Sequence, residues 1–198
     1  MPKQIIIIHH SGTSRDKMLN QFDSIKNYHI ETKGWGDIGY NWLIEPYGDI
    51  KRGRPENIPG AHCYQQSMNL KSIGICLSGN LEKEKPTPAQ LLSLVNLITS
   101  IQNRNGKCEI YGHKDFSKTA CPGRNLDLNI LKTLTNTAMS NYFEIMQEEV
   151  PEKSRIFTTF EGESPLTEKE TKALVTIASY RQEQRMKKLI QLMTEKKK

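Results

Sequence analysis

The stretch Gln4-Ile5-Ile6-Ile7-Ile8-His9-His10-Ser11 decides how this chain is read. Four successive β-branched residues favour extended backbone, and a run apolar at every position must be covered on both faces. Ile5 to His9 is therefore predicted to be a short strand buried within a sheet. Adjacent strand residues point to opposite faces, so His9 and His10 cannot share one side. Parity separates the two imidazoles without choosing between them.

Working outward, Leu19, Phe22, Ile25 and His29 recur at three- and four-residue steps within residues 14 to 30, which predicts one helix ended by Gly34-Trp35-Gly36. Tyr40 to Ile44 reads as a strand, with Tyr40 and Trp42 on a shared face. Pro46-Tyr47-Gly48-Asp49 reads as a turn and Ile50 to Arg54 as the hairpin partner. A loop over residues 55 to 71 precedes a strand from Ser72 to Leu77. Thr87-Pro88-Ala89-Gln90 is a helix start: a Thr cap, Pro at the first helical position, and Gln three residues after the cap. Leu91, Leu94, Val95, Ile98 and Ile101 then form one stripe, and Gly106 follows. Cys108 to Tyr111 reads as a last strand and Leu126 to about Leu134 as a last core helix. Alternating strands and helices predict an α/β domain with a mixed central β-sheet flanked by helices.

The chain has 198 residues, which is one ordinary domain with room for an appendage. The expected division is residues 1–137 as the main domain and residues 138–198 as a C-terminal helical extension. Residues 151 to 198 carry 11 Lys or Arg against 7 Asp or Glu, and so supply +4 of the net +6. Within them, Thr167-Glu168-Lys169-Glu170 is a second capping box opening a helix to about Thr194. The extension reads first as a helix or helical pair packed on the main domain; the alternative is contact with anionic lipid or lipopolysaccharide, since Met186 to Lys198 has five Lys and one Glu in a basic amphipathic pattern. A basic chain also raises nucleic acid as a partner, but no nucleic-acid motif and no dense aromatic–basic interleaving is present. No run reaches the ~18 apolar residues of a membrane helix, and the N-terminus lacks the apolar core of a signal peptide. The expectation is a protein made in the cytoplasm. Without a secretory signal, its four cysteines read as free thiols or metal ligands, with Cys76 and Cys108 as small buried strand residues.

The residues with chemical potential gather in Tyr111-Gly112-His113-Lys114-Asp115-Phe116-Ser117-Lys118-Thr119-Ala120-Cys121-Pro122-Gly123. A histidine ends a strand, and a cysteine follows eight positions later across a polar loop. Both are zinc ligands, but a catalytic zinc takes three protein ligands, and the third candidate is a histidine of the opening stretch. Spacing alone is a weak signal, and a structural His with a buried Cys is the commoner outcome of such a pattern.

The ordered set Ile7-Ile8-His9-His10-Ser11, Gly39-Tyr40-Asn41-Trp42-Leu43-Ile44, Gly60-Ala61-His62, Asn69-Leu70-Lys71-Ser72-Ile73-Gly74-Ile75, Ser78-Gly79-Asn80, Thr87-Pro88-Ala89-Gln90, Gly112-His113-Lys114-Asp115 and Thr119-Ala120-Cys121-Pro122-Gly123 resembles the zinc-dependent N-acetylmuramoyl-L-alanine amidases, which include phage lysozyme-type amidases and peptidoglycan recognition proteins. The resemblance covers about residues 4 to 135 and none of the C-terminal segment. It implies zinc held by His9, His113 and Cys121. It implies that Tyr40 faces the attacking water or the tetrahedral intermediate, and that Thr119 assists, standing two residues before the cysteine where the family has Lys or Thr. Lys118 is one place off. It further implies that His62 and Asn80 line the substrate groove, although His62 alone reads as a loop histidine. Bound zinc acidifies water and polarises an amide carbonyl, which an amide needs because it is a poor electrophile. The implied substrate is bacterial peptidoglycan, cut between N-acetylmuramic acid and L-alanine. The implied setting is a phage endolysin that waits in the host cytoplasm for a holin. The alternative is a non-catalytic peptidoglycan-binding module, a class that typically lacks the cysteine.

Overall fold

The computed structural model describes residues 2–14 and 20–148. Its centre is a five-stranded sheet of β1 (Ile5–His10), β2 (Trp42–Ile44), β3 (Ile50–Arg52), β4 (Ser72–Leu77) and β5 (Glu109–Gly112), in the order β3-β2-β4-β1-β5. β1 runs parallel to both β4 and β5, β2 runs parallel to β4, and the β2–β3 hairpin is antiparallel. This is the expected mixed sheet. Ile6, Ile7 and Ile8 are wholly inaccessible, each burial being worth roughly 1.5–3 kcal/mol. The parallel arrangement brings the carboxyl ends of β1, β4 and β5 to one edge, where open α/β sheets place their ligands.

The helices are α1 (Phe22–Asn27), α2 (Met68–Lys71), α3 (Pro88–Asn105) and α4 (Leu128–Glu148). α3 starts as predicted: Thr87 Oγ1 accepts from the Gln90 N–H at 3.0 Å, and Gln90 Oε1 accepts from the Thr87 N–H at 3.1 Å. Gln90 Nε2 then donates to the carbonyls of Ile44 and Ser78, tying the ends of β2 and β4 together. None of the helices is long and apolar enough to cross a membrane among the described residues.

Four elements depart from expectation, each for a local reason. α1 passes into a π-helical turn over Tyr28–Thr32 before Gly34 takes φ +67° and ends it; residues 15–19 of the expected helix lie outside the described residues. The loop over 55 to 71 contains a 3₁₀ turn, Gln65–Ser67, and the short α2. β2 begins at Trp42 rather than Tyr40 because the Asn41 side chain enters the ladder: Oδ1 accepts from the Gly74 N–H, and Nδ2 donates to the carbonyls of Arg54 and Pro55. The interruption also breaks the shared face of Tyr40 and Trp42. Tyr40 packs on Ile38, Leu43 and Cys76, whereas Trp42 Nε1 donates to Glu56 at 2.7 Å. α4 continues past Leu134 to Glu148, since no glycine or proline interrupts those residues. The chain divides into compact units Met1–Lys132 and Thr133–Lys198. The capping box at Thr167 and the basic helix expected after it lie outside the described residues.

Candidate metal centre

Each of the three proposed ligands is delivered by a different local device. His9 sits one residue from the end of β1 and is 1% exposed. Its register partner on β4 is Cys76, so its height on the sheet is fixed by the ladder. His113 opens a 3₁₀ turn straight after β5, where the Gly112 N–H donates to Asp115 Oδ2 at 2.9 Å. Cys121 returns on the loop that follows. The Lys114 N–H donates to the Cys121 carbonyl at 2.8 Å, closing the loop on itself. Gly123 stands at φ +102° with the Leu81 main chain where a Cβ would be, so a side chain there would push the cysteine loop off the turn that follows β4.

These devices bring one donor atom from each of His9, His113 and Cys121 within 4.8 Å of one another. His9 Nδ1 and Cys121 Sγ are 3.7 Å apart. Tetrahedral zinc with ordinary Zn–N and Zn–S lengths would hold nitrogen and sulfur about 3.6 Å apart, so this pair is spaced for one ion. The electrostatics suit a cation as well. Burial pushes the imidazoles of His9 and His113 below the ordinary histidine range, which keeps their lone pairs free. Burial also pushes the Cys121 thiol up to about 12. A thiolate there needs a positive partner, and a metal ion supplies one. The His10 N–H donates to Cys121 Sγ at 3.3 Å and opposes burial by favouring the thiolate.

The other expected residues fall at different distances from this centre. The Tyr40 ring lies 5.3 Å from that of His9, centroid to centroid. Burial and the neighbouring Cys76 and Cys121 thiols hold its phenol well above the usual range, so it remains a neutral donor. Thr119 is exposed, and its Oγ1 accepts from the Cys121 N–H at 3.2 Å; Lys118 is exposed beside it. Asn80 is half-buried on the turn after β4, where its Oδ1 accepts from the Glu82 N–H. His62 is 8% exposed. Its Nδ1 lies 3.1 Å from His9 Nε2.

Several supporting groups escape sequence reasoning. The His10 ring does face away from His9, and its Nδ1 accepts from the Leu81 N–H at 2.9 Å. The contribution of its main chain to Cys121 leaves no trace in residue type. His29, on the apolar face of the predicted helix, accepts from the Gly39 N–H through Nδ1 at 3.1 Å, and its ring lies tilted against that of Tyr40 with centroids 5.7 Å apart. The wholly buried Glu45 accepts from the N–H groups of Gln21 and Phe22 at 2.8 Å each, and so fixes the start of α1. A carboxylate directly after an apolar strand was the available signal for it.

Residues 1–124 match the N-acetylmuramoyl-L-alanine amidase family. The chain is 34% identical to peptidoglycan-recognition protein SC2 of Drosophila melanogaster over 137 residues, covering 66% of this chain and 73% of that one. It is 30% identical to the endolysin of Enterobacteria phage T3 over 128 residues, covering 62% and 82%. In three dimensions it is similar to the N-acetylmuramoyl-L-alanine amidase LysC from Clostridium intestinale, with a TM-score of 0.62 and 32% identity over 69% of this chain and 87% of that one. From its sheet order to its likeness across more than half its length, the chain belongs to the N-acetylmuramoyl-L-alanine amidase family.

Proposed function

We propose that this protein is a zinc-dependent peptidoglycan hydrolase that cleaves the amide between N-acetylmuramic acid and L-alanine, and that it serves as a phage endolysin. The observation that carries the reading is the convergence of His9, His113 and Cys121 at the carboxyl edge of the sheet, with Tyr40 against His9. The endolysin similarity supports the lytic role, and the peptidoglycan-recognition similarity supports the polymer as partner.

In this reading, His9, His113 and Cys121 hold zinc through two imidazoles and one thiolate. The ion would supply a Lewis acid for the amide carbonyl and acidify water. Tyr40 donates a hydrogen bond to the oxygen that gains charge as the carbonyl becomes tetrahedral; a well-placed donor of this kind is worth roughly 3–4 kcal/mol. Its phenol is suited to this because it stays protonated. Thr119 holds the Cys121 main chain through Oγ1 and keeps its own proton available to donate. Asn80 stands on a turn at the same edge and contributes to the groove. Residues 1–137 form the catalytic part in this reading, and residues 138–198 contact the envelope.

The test is turnover of purified peptidoglycan by the zinc-loaded protein. New L-alanine amino groups, with lactyl carboxylates left on the glycan, are expected from the wild type and not from Cys121→Ser. Reducing sugar ends as the sole products, or binding without turnover in the wild type, would remove the amidase reading.

A further inference from the structure

The His62 ring is more tightly enclosed than a loop histidine needs to be. A Cβ added at Gly60 would come within 2.5 Å of its Cδ2, and one added at Gly74 within 2.5 Å of its Cδ2 and Cγ. Gly74 lies on β4 opposite Ile7 of β1, two residues before Cys76, which pairs with His9. The missing Cβ therefore opens a slot on the His9 face of the sheet, and the His62 ring fills it. The main chain is fixed too: Asn69 Oδ1 accepts from the N–H groups of His62 at 2.8 Å and Cys63 at 2.7 Å. A ring held this firmly, with Nδ1 3.1 Å from His9 Nε2, constrains its neighbour.

We propose that His62 is a positioning residue for His9: its Nδ1 accepts the Nε2–H of His9, which fixes the His9 ring plane and leaves Nδ1 of His9 bare for a metal. The zinc half of this rests on the functional reading above; the tautomer half does not. A neutral imidazole carries one proton, so placing it on Nε2 makes Nδ1 the lone-pair nitrogen. That nitrogen is the one facing Cys121 Sγ at 3.7 Å. The opposite arrangement would put a proton between His9 and the sulfur, where a cation has to sit. In the proposed arrangement His62 carries its own proton on Nε2, a buried atom. The Ser72 main chain lies beside this ring.

Two measurements test this on the full chain. Long-range proton–nitrogen correlation spectra of the metal-free protein should find His9 protonated at Nε2 and bare at Nδ1; a proton on His9 Nδ1 would overturn the proposal. Zinc affinity by chelator competition should fall about 10–100-fold in His62→Leu, the usual cost of losing a partner behind a ligating histidine. It should stay near wild type in His62→Asn, whose Oδ1 restores an acceptor at the δ position. Wild-type affinity in a folded His62→Leu, or equal loss in both variants, would overturn it. If His62→Leu does not fold, the spectra of the wild type decide. If the wild type binds no zinc, the functional reading fails while the His9 tautomer still tests the pairing.

Discussion

His9 and Cys121 approach one point by opposite routes. His9 is placed by a strand whose isoleucines are inaccessible and whose register is set on both sides by β4 and β5. Cys121 is placed by a loop, through the contact of Lys114 with its carbonyl, that of Thr119 with its N–H, and that of His10 with its sulfur. The strand position is collective, and nothing short of refolding the sheet shifts it. The loop position is a sum of single hydrogen bonds, each worth about 0.5–1.5 kcal/mol net. The rigid half sets where chemistry occurs, and the adjustable half sets how well.

The largest effect on rate should come from the group poised against the rigid half. Tyr40→Phe removes a donor but keeps the ring on Cys76 and Leu43. A loss of about 10²–10³ in kcat is expected, with zinc content unchanged; full activity would remove Tyr40 from the chemistry.

The adjustable half has a pH signature. The metal-free Cys121 thiol, raised to about 12, is protonated throughout the neutral range. The histidines, pushed down, are already neutral there. Zinc binding therefore releases one proton, from sulfur, and the affinity should rise about tenfold per pH unit from 7 to 9. Competition titrations across that range that show no slope would mean the sulfur is not a ligand.

A smaller effect separates the halves by stability. Gly74→Ala forces a Cβ into the His62 ring and should cost about 1–3 kcal/mol in urea unfolding of the metal-free protein. Thr119→Ala, which loses one acceptor on an exposed loop, should cost about 1 kcal/mol or less and lower activity while retaining zinc. A greater stability loss for Thr119→Ala than for Gly74→Ala would reverse the assignment of rigid and adjustable halves.

The same contrast explains what could be read from the sequence. β1, β4 and α3 were legible because burial and capping leave marks in residue type: the isoleucine run, Ser72 to Leu77, and Thr87 with Gln90. Alternation along β1 separates His9 from His10, and their ring contacts fall on opposite sides of the strand. The choice of His9, His113 and Cys121 came from family resemblance, because spacing along the chain does not specify how a loop returns. The hidden parts depend on tertiary hydrogen bonds. Asn41 entering the ladder, the His10 main chain on the sulfur, and His62 set between two glycines all look ordinary one residue at a time. The full length of α4 was obscured by Asn136 and Thr137, weak helix formers that do not break a helix.

The most direct test of the central claim is the zinc K-edge absorption fine structure of the reconstituted wild-type protein. The predicted coordination sphere has one sulfur at about 2.3 Å and two imidazole nitrogens at about 2.0 Å, with a light atom completing it. A sphere of nitrogen and oxygen alone, with no sulfur, would contradict the joining of strand and loop at one ion.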